Sequence, residues 1–172
     1  MMDNEPQEIL ATLEKGSALL LAALHEVTDE LAIRSPGPGK WSILQCAEHV
    51  AVVEEYLFSL ILASKQAEIP LIIEQREVII LTRGADRTIR RESPDCTLPA
   101  GRFSILSDAV QHFRASRERT TQFINSNQED LRSKTALHPL IGTVNCHELL
   151  LLMAVHPARH AMQIEEIKAA AA

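Results

Sequence analysis

Three histidines in this chain stand where its hydrophobic patterning calls for apolar side chains. His156 and His160 lie four residues apart in HPARHAMQIEEI, residues 156–167. That spacing stacks two side chains on one helix face with Cβ atoms about 5–6 Å apart, close enough to share one ion. His49 falls on the apolar stripe of a different segment, in line with Cys46, Val53, Tyr56 and Leu60 at intervals of three and four. A single histidine on a helix face reads as a hydrogen-bonded structural residue. Three inward imidazoles need partners for their ring nitrogens, because burying unsatisfied polar groups is costly. One shared metal ion satisfies all three, and neutral imidazole is the commonest side-chain metal ligand. Such a set leaves at least one coordination position open, the arrangement of a catalytic site.

Other chemistries fit less well. A zincin requires HExxH, but His147-Glu148 is followed by Leu151 where the second histidine would stand. Cys46, one turn before His49, reads as a buried, inert thiol. His25, His112 and His147 fall off the apolar lines and read as surface residues. Arg76, Arg83, Arg87, Arg90, Arg91 and Arg102 cluster in one connection, where solvation or ion pairing accounts for them better than an anion site does.

Four helices must position the three rings. The first, in PQEILATLEKGSALLLAALHEVTDELA, carries Ile9, Leu13, Leu20, Leu24, Val27 and Leu31 and stops before SPGPG. Ser42 with Gln45 forms a capping box, stapled by Trp41 and Cys46, that opens a second helix from about Ile43 to Gln66. After Pro70 a long, partly ordered crossover follows, with one short element at EVIILT. The third helix, about Ser104 to Asn125, carries Leu106, Val110, Phe113, Thr120 and Ile124. A loose link through HPLIGT leads to Asn145 and Glu148, a second capping pattern. The fourth helix then starts near Cys146 on the line Leu149, Met153, His156, His160, Gln163 or Ile164, Ile167. Pro157 lies inside it, where proline costs about 3 kcal/mol, so a local departure from the helix is expected there. A short first connection and a long second one imply an all-α, up-down-down-up four-helix bundle, one domain over residues 1–172.

Composition agrees with a single packed core: 172 residues, 46% of them hydrophobic. The net charge of -6 argues against nucleic acid as a partner. No apolar run approaches the roughly 18 residues of a membrane span. MMDNEPQEIL lacks a secretory pattern, and Cys46, Cys96 and Cys146 are odd in number, so reduced thiols in the cytoplasm are expected.

Taken in order, Trp41-Ser42 before the helix of His49, then HPLIG, TVNCHEL and HPARHAMQI resemble the DinB-like family over nearly the whole chain. The resemblance implies the same bundle and a divalent metal, zinc or nickel first, iron or manganese next, held by His49, His156 and His160. It implies thiol S-transfer with a low-molecular-weight thiol such as bacillithiol, thiol-dependent isomerisation or metal-dependent hydrolysis, and frequent homodimers. Arg159 and Gln163 flank His160 as they do in that family. Gln163 is either a partner near the metal or substrate, or a polar residue at the bundle end; Arg159 is expected to pair with a carboxylate. The expectation is a metal-dependent enzyme acting on a small molecule, its acid and base residues unidentified. The alternative is a non-catalytic metal- or ligand-binding stress-response protein.

Overall fold

The computed structural model describes residues 5–89 and 91–171, so Arg90 of the arginine cluster lies outside the described residues. Helix α1 spans Glu5–Leu24 and a short α2 spans Asp29–Ile33. The first predicted helix thus splits: Glu26 takes a left-handed φ of 60°, and the Thr28 side chain accepts from the Leu31 amide to start α2. Helix α3 runs Ile43–Leu62, shorter than expected, because Ser64 turns back on the Ile61 carbonyl through both its amide and its hydroxyl. Strand β1, Lys65–Gln66, follows, then α4, Glu74–Arg83, and a 3-10 turn at Asp95–Thr97. Helix α5 covers Leu106–Ser126, strands β2 and β3 cover Lys134–His138 and Gly142–Asn145, and α6 covers Cys146–Ala171.

Two core layers give the direction of each long helix. One layer joins Leu20 and Leu24 at the end of α1, Ile43 to Ala51 at the start of α3, Leu106 to Phe113 at the start of α5, and Ala161 to Ile167 late in α6. The other joins Ile9 and Leu13, Val53 to Ile61, Ile124, and Cys146 to Ala154. So α1 and α6 run one way and α3 and α5 the other, a four-helix bundle in up-down-down-up order. The chain between α3 and α5 carries α4, whose Ile80 is buried with Leu151 and Val155 of α6.

The loose link expected through HPLIGT is instead a short β-hairpin, a small addition to the mostly helical four-helix-bundle fold that was expected. Strand β2 pairs antiparallel with β3, Ala136 facing Val144 and His138 facing Gly142, and β1 adds to the other edge of β2. Gly142 turns the chain with φ 74°. With strands of five and four residues, neither run is long enough to display an alternation in the sequence.

Helix α6 runs unbroken through Pro157, against the departure expected there. Pro157 has no N–H to bond the Met153 carbonyl, and the Arg117 guanidinium supplies that bond at 2.9 Å. On its other side α6 meets Gly16 of α1, where any Cβ would come within 2.1 Å of the Ala154 carbonyl oxygen. His147 also departs from expectation. It is only 5% exposed, with Nδ1 3.1 Å from Glu77 and Nε2 3.3 Å from Glu5. The hydrophobic pattern placed it at the surface because charged residues from α1 and α4, rather than apolar ones, cover it. His112 is half-buried against Phe103 and 3.4 Å from Glu55, whereas His25 is exposed.

Candidate metal centre

The centre is built from two helices whose starts are fixed by their own sequence. On α3 the capping box forms as expected: Ser42 Oγ accepts from the Gln45 amide at 3.2 Å, and the Ser42 amide donates to Gln45 Oε1 at 2.9 Å. This sets the first turn and places His49 in the second, 1% exposed. On α6 Asn145 Oδ1 accepts from the Glu148 amide at 2.7 Å, and Glu148 Oε2 from the Asn145 amide at 2.9 Å. His156 and His160 follow three turns on, half-buried and buried respectively.

Hydrogen bonds decide which ring nitrogens carry protons. His49 Nδ1–H donates to the Thr97 carbonyl at 2.7 Å. His160 Nδ1–H donates to Gln163 Oε1 at 3.0 Å, an oxygen that also accepts from Arg87 Nη1 at 3.2 Å. Because Arg87 can only donate, Gln163 must present its oxygen, and His160 must donate to it. In neutral rings, Nε2 of His49 and of His160 is therefore a bare lone pair.

Those lone pairs converge. Nε2 of His156 lies 3.2 Å from Nε2 of His49 and 3.0 Å from Nε2 of His160, and the three candidate ligand atoms lie within 4.8 Å of one another. A proton on His156 Nε2 can serve one of these two contacts and leaves the other unsatisfied. A cation serves all three. Tetrahedral zinc, with Zn–N about 2.0–2.1 Å, holds neighbouring ligand nitrogens roughly 3.3 Å apart; the two separations from His156 match that spacing and the third lies within 4.8 Å, so three imidazoles of the right ligand type are gathered for such an ion.

The electrostatics keep the rings neutral. Burial lowers the pKa of His49, against a smaller upward pull from the Thr97 bond. Burial first, and the neighbouring imidazoles second, hold His156 and His160 well below the usual histidine value. Neutral imidazole is the ligand form. Cys46 stays a thiol, its pKa pushed up to about 12 by burial, and is no nucleophile.

The surrounding contacts come from the link before α3 and from the crossover. Trp41 lies with its ring centroid 4.8 Å from that of His49 and 6.2 Å from that of His160. Glu48, beside His49 in sequence, accepts from the amides of Ala100 and Arg102 at 2.7 and 3.1 Å and so anchors the segment that presents the Thr97 carbonyl. Arg87 is itself held by Glu166 through Nε and Nη2 at 2.9 and 2.7 Å. Arg159 departs from expectation: among the described residues it forms no ion pair with a carboxylate, and it donates to the carbonyls of Asp86 and Ile89, residues that lie in no helix or strand. Thr97 and Glu48 escaped the sequence reading, while Arg87 was read there as one of the solvated or ion-paired arginines of the crossover and is indeed paired, with Glu166. Glu48 left only the trace of a charged residue beside a ligand on a largely apolar helix.

A sequence model described as the DinB superfamily matches residues 12–164. The chain belongs to the DinB superfamily. Among solved structures, this DinB chain is similar to YfiT from Bacillus subtilis, described as a probable metal-dependent hydrolase with an unusual four-helix bundle topology. The TM-score is 0.64 at 17% identity, over 98% of this chain and 89% of that one. It is also similar to TT2238, described as a four-helix bundle protein, with TM-score 0.55 at 20% identity over 94% and 98% of the two chains. At such identities the two structures establish the four-helix-bundle fold and nothing finer. No curated protein matches the chain. Among the described residues, no helix is long and apolar enough to cross a membrane.

Proposed function

We propose that this DinB protein is a metal-dependent enzyme in which His49, His156 and His160 bind one divalent ion and the remaining coordination position receives the nucleophile. The observation that carries this reading is the convergence of three Nε2 atoms, two of them fixed as lone pairs by the partners of their Nδ1–H groups. A divalent ion in such a site supplies a lowered pKa to a bound water or thiol, giving hydroxide or thiolate near neutral pH. The chain's own residues do the rest. Thr97 and Gln163 orient two of the rings, Trp41 and the crossover cover the centre, and burial keeps protons off the ligand nitrogens.

Hydrolysis of a small molecule is the leading reaction, supported by the description of YfiT; transfer of a low-molecular-weight thiol is the second, resting on the family resemblance. Zinc or nickel is the first choice of ion and iron or manganese the next, since imidazole accepts several of these. A homodimer remains a proposal, tested by light scattering after size exclusion. The test of function is elemental analysis of the purified protein, followed by ester, amide and thiol-plus-electrophile panels with and without chelator. Turnover that disappears on chelation and in His160→Ala supports the enzyme. Stoichiometric metal without turnover on every panel favours the non-catalytic binding protein, and metal retained in both His49→Ala and His156→Ala refutes the three-histidine site.

A further inference from the structure

We propose that the buried pair Arg117–Glu54 is a positioning device for the metal centre, with Arg117 supplying to α6 the hydrogen-bond donor that Pro157 withholds. This rests on the three-histidine reading above.

Pro157 leaves one acceptor of α6 orphaned. In a regular helix the residue at 157 bonds the carbonyl four positions back, and proline has no N–H to do so. That carbonyl belongs to Met153, which is buried at the centre of the bundle. Arg117 Nη2 reaches it from α5 at 2.9 Å. The same guanidinium donates through Nη1 to the Leu13 carbonyl of α1 at 3.1 Å, and through Nη2 to Glu54 Oε2 of α3 at 2.9 Å. Its Nε lies 2.9 Å from Glu54 Oε1. Thr120 Oγ1 stands 3.4 Å from that oxygen. One side chain, 8% exposed, therefore ties all four long helices at one level.

That level adjoins the site. Met153 sits one turn before His156, and Glu54 five residues after His49, so the pair links both ligand-bearing helices. A buried ion pair alone does not explain the arrangement, since apolar replacements of such pairs are often neutral or stabilising. The backbone contacts do explain it. Two guanidinium N–H groups go to main-chain carbonyls, one of them the carbonyl that Pro157 leaves without its usual donor. Gly16 lets α1 close on α6 beside this point, so α6 has no room to shift toward α1 around an unsatisfied group. Without Arg117, α6 would bend or admit water at Met153, and His156 and His160 would swing away from His49.

The prediction is a specific coupling between positions 117 and 157. Arg117→Met, Pro157→Ala and the double variant are made in the full chain, their folding followed by far-UV circular dichroism. Each is titrated with Co2+ read by its d–d absorption, and unfolded in urea. Arg117→Met is expected to weaken Co2+ binding by roughly tenfold to a hundredfold, the range for groups that orient ligands. Adding Pro157→Ala restores most of that affinity, because an alanine there brings back the missing N–H, while Pro157→Ala alone changes affinity much less. Unchanged affinity in Arg117→Met overturns the proposal, as does a loss that Pro157→Ala fails to reduce. Should Arg117→Met not fold, Glu54→Leu is combined with it to remove the stranded carboxylate, and the same comparison is made with and without Pro157→Ala. A parent that takes up no Co2+ overturns the metal reading and the positioning of its ligands together. The urea data then still decide whether Arg117 replaces the proline's donor: Pro157→Ala must stabilise Arg117→Met more than it stabilises the parent, and equal effects reject the idea.

Discussion

At the residue scale, the centre depends on which nitrogen of each ring holds the proton. Gln163 fixes His160 because its amide oxygen is already committed to Arg87, itself clamped by Glu166. Gln163→Ala removes the acceptor for His160 Nδ1–H and frees the ring to turn. It is expected to weaken metal binding by about tenfold, measured by competition with a chromophoric chelator, while the protein stays folded. The cysteines give a second check. Cys46 is buried with its thiol pKa pushed up to about 12, whereas Cys96 is exposed. The thiolate is the reactive form, and at pH 8 a thiol of pKa about 12 is ionised in roughly one molecule in ten thousand. Raising the pH therefore favours Cys46 labelling, but slowly and from a very low level. Iodoacetamide followed by peptide mass spectrometry is expected to modify Cys96 first and to leave Cys46 intact at pH 8. Early modification of Cys46 in folded protein would contradict its burial.

At the element scale, the capping boxes at Ser42 and Asn145 fix where α3 and α6 begin, and helical periodicity then fixes which residues face inward. Both were legible because they are local: a cap and its partner lie three residues apart. The crossing of α1 and α6 was not, since nothing in the run around Gly16 says that another backbone lies against it. Gly16→Ala tests that crossing. A methyl group would meet the Ala154 carbonyl oxygen at 2.1 Å, and both atoms belong to packed helices. Alanine ordinarily stabilises an exposed helix by roughly 0.5–1 kcal/mol over glycine. Here the sign is expected to reverse, with a loss of about 1–3 kcal/mol in urea unfolding from overpacking. The hairpin at β2 and β3 belongs to the same class of hidden feature, because its strands are short and only the pairing reveals them.

At the scale of the whole molecule, the proposed metal site joins helices distant in sequence, so an ion bound there would report on the entire fold. Anything that binds the folded state alone stabilises it by mass action, about 2.7 kcal/mol at a ligand concentration one hundred times Kd. Metal removal is therefore expected to lower the melting temperature of the parent, measured by scanning fluorimetry with and without chelator. His156→Ala should melt at the same temperature in both conditions. A parent whose melting is indifferent to zinc, nickel and chelator would remove the basis for the metal reading. The crossover shares in this coupling, because from it Thr97 bonds the His49 ring and Arg87 bonds Gln163, which holds the His160 ring.

What the sequence by itself determined were the properties that repeat along the chain: four long helices, their caps, and the apolar lines on which His49, His156 and His160 interrupt the pattern. Local spacing suffices for these because a helix places residues three and four apart on one face whatever else surrounds it. What only the tertiary structure decided were the partners that come from elsewhere: the carbonyl of Thr97 on His49, Arg87 on Gln163, the carbonyls of Asp86 and Ile89 on Arg159, the charged cover over His147, and Arg117 on the Met153 carbonyl, four residues before Pro157. A buried polar group must find a donor or an acceptor, but the partner's position in sequence is free. Packing selects it, and Pro157 shows the result, a helix breaker held in an unbroken helix by a side chain from another one.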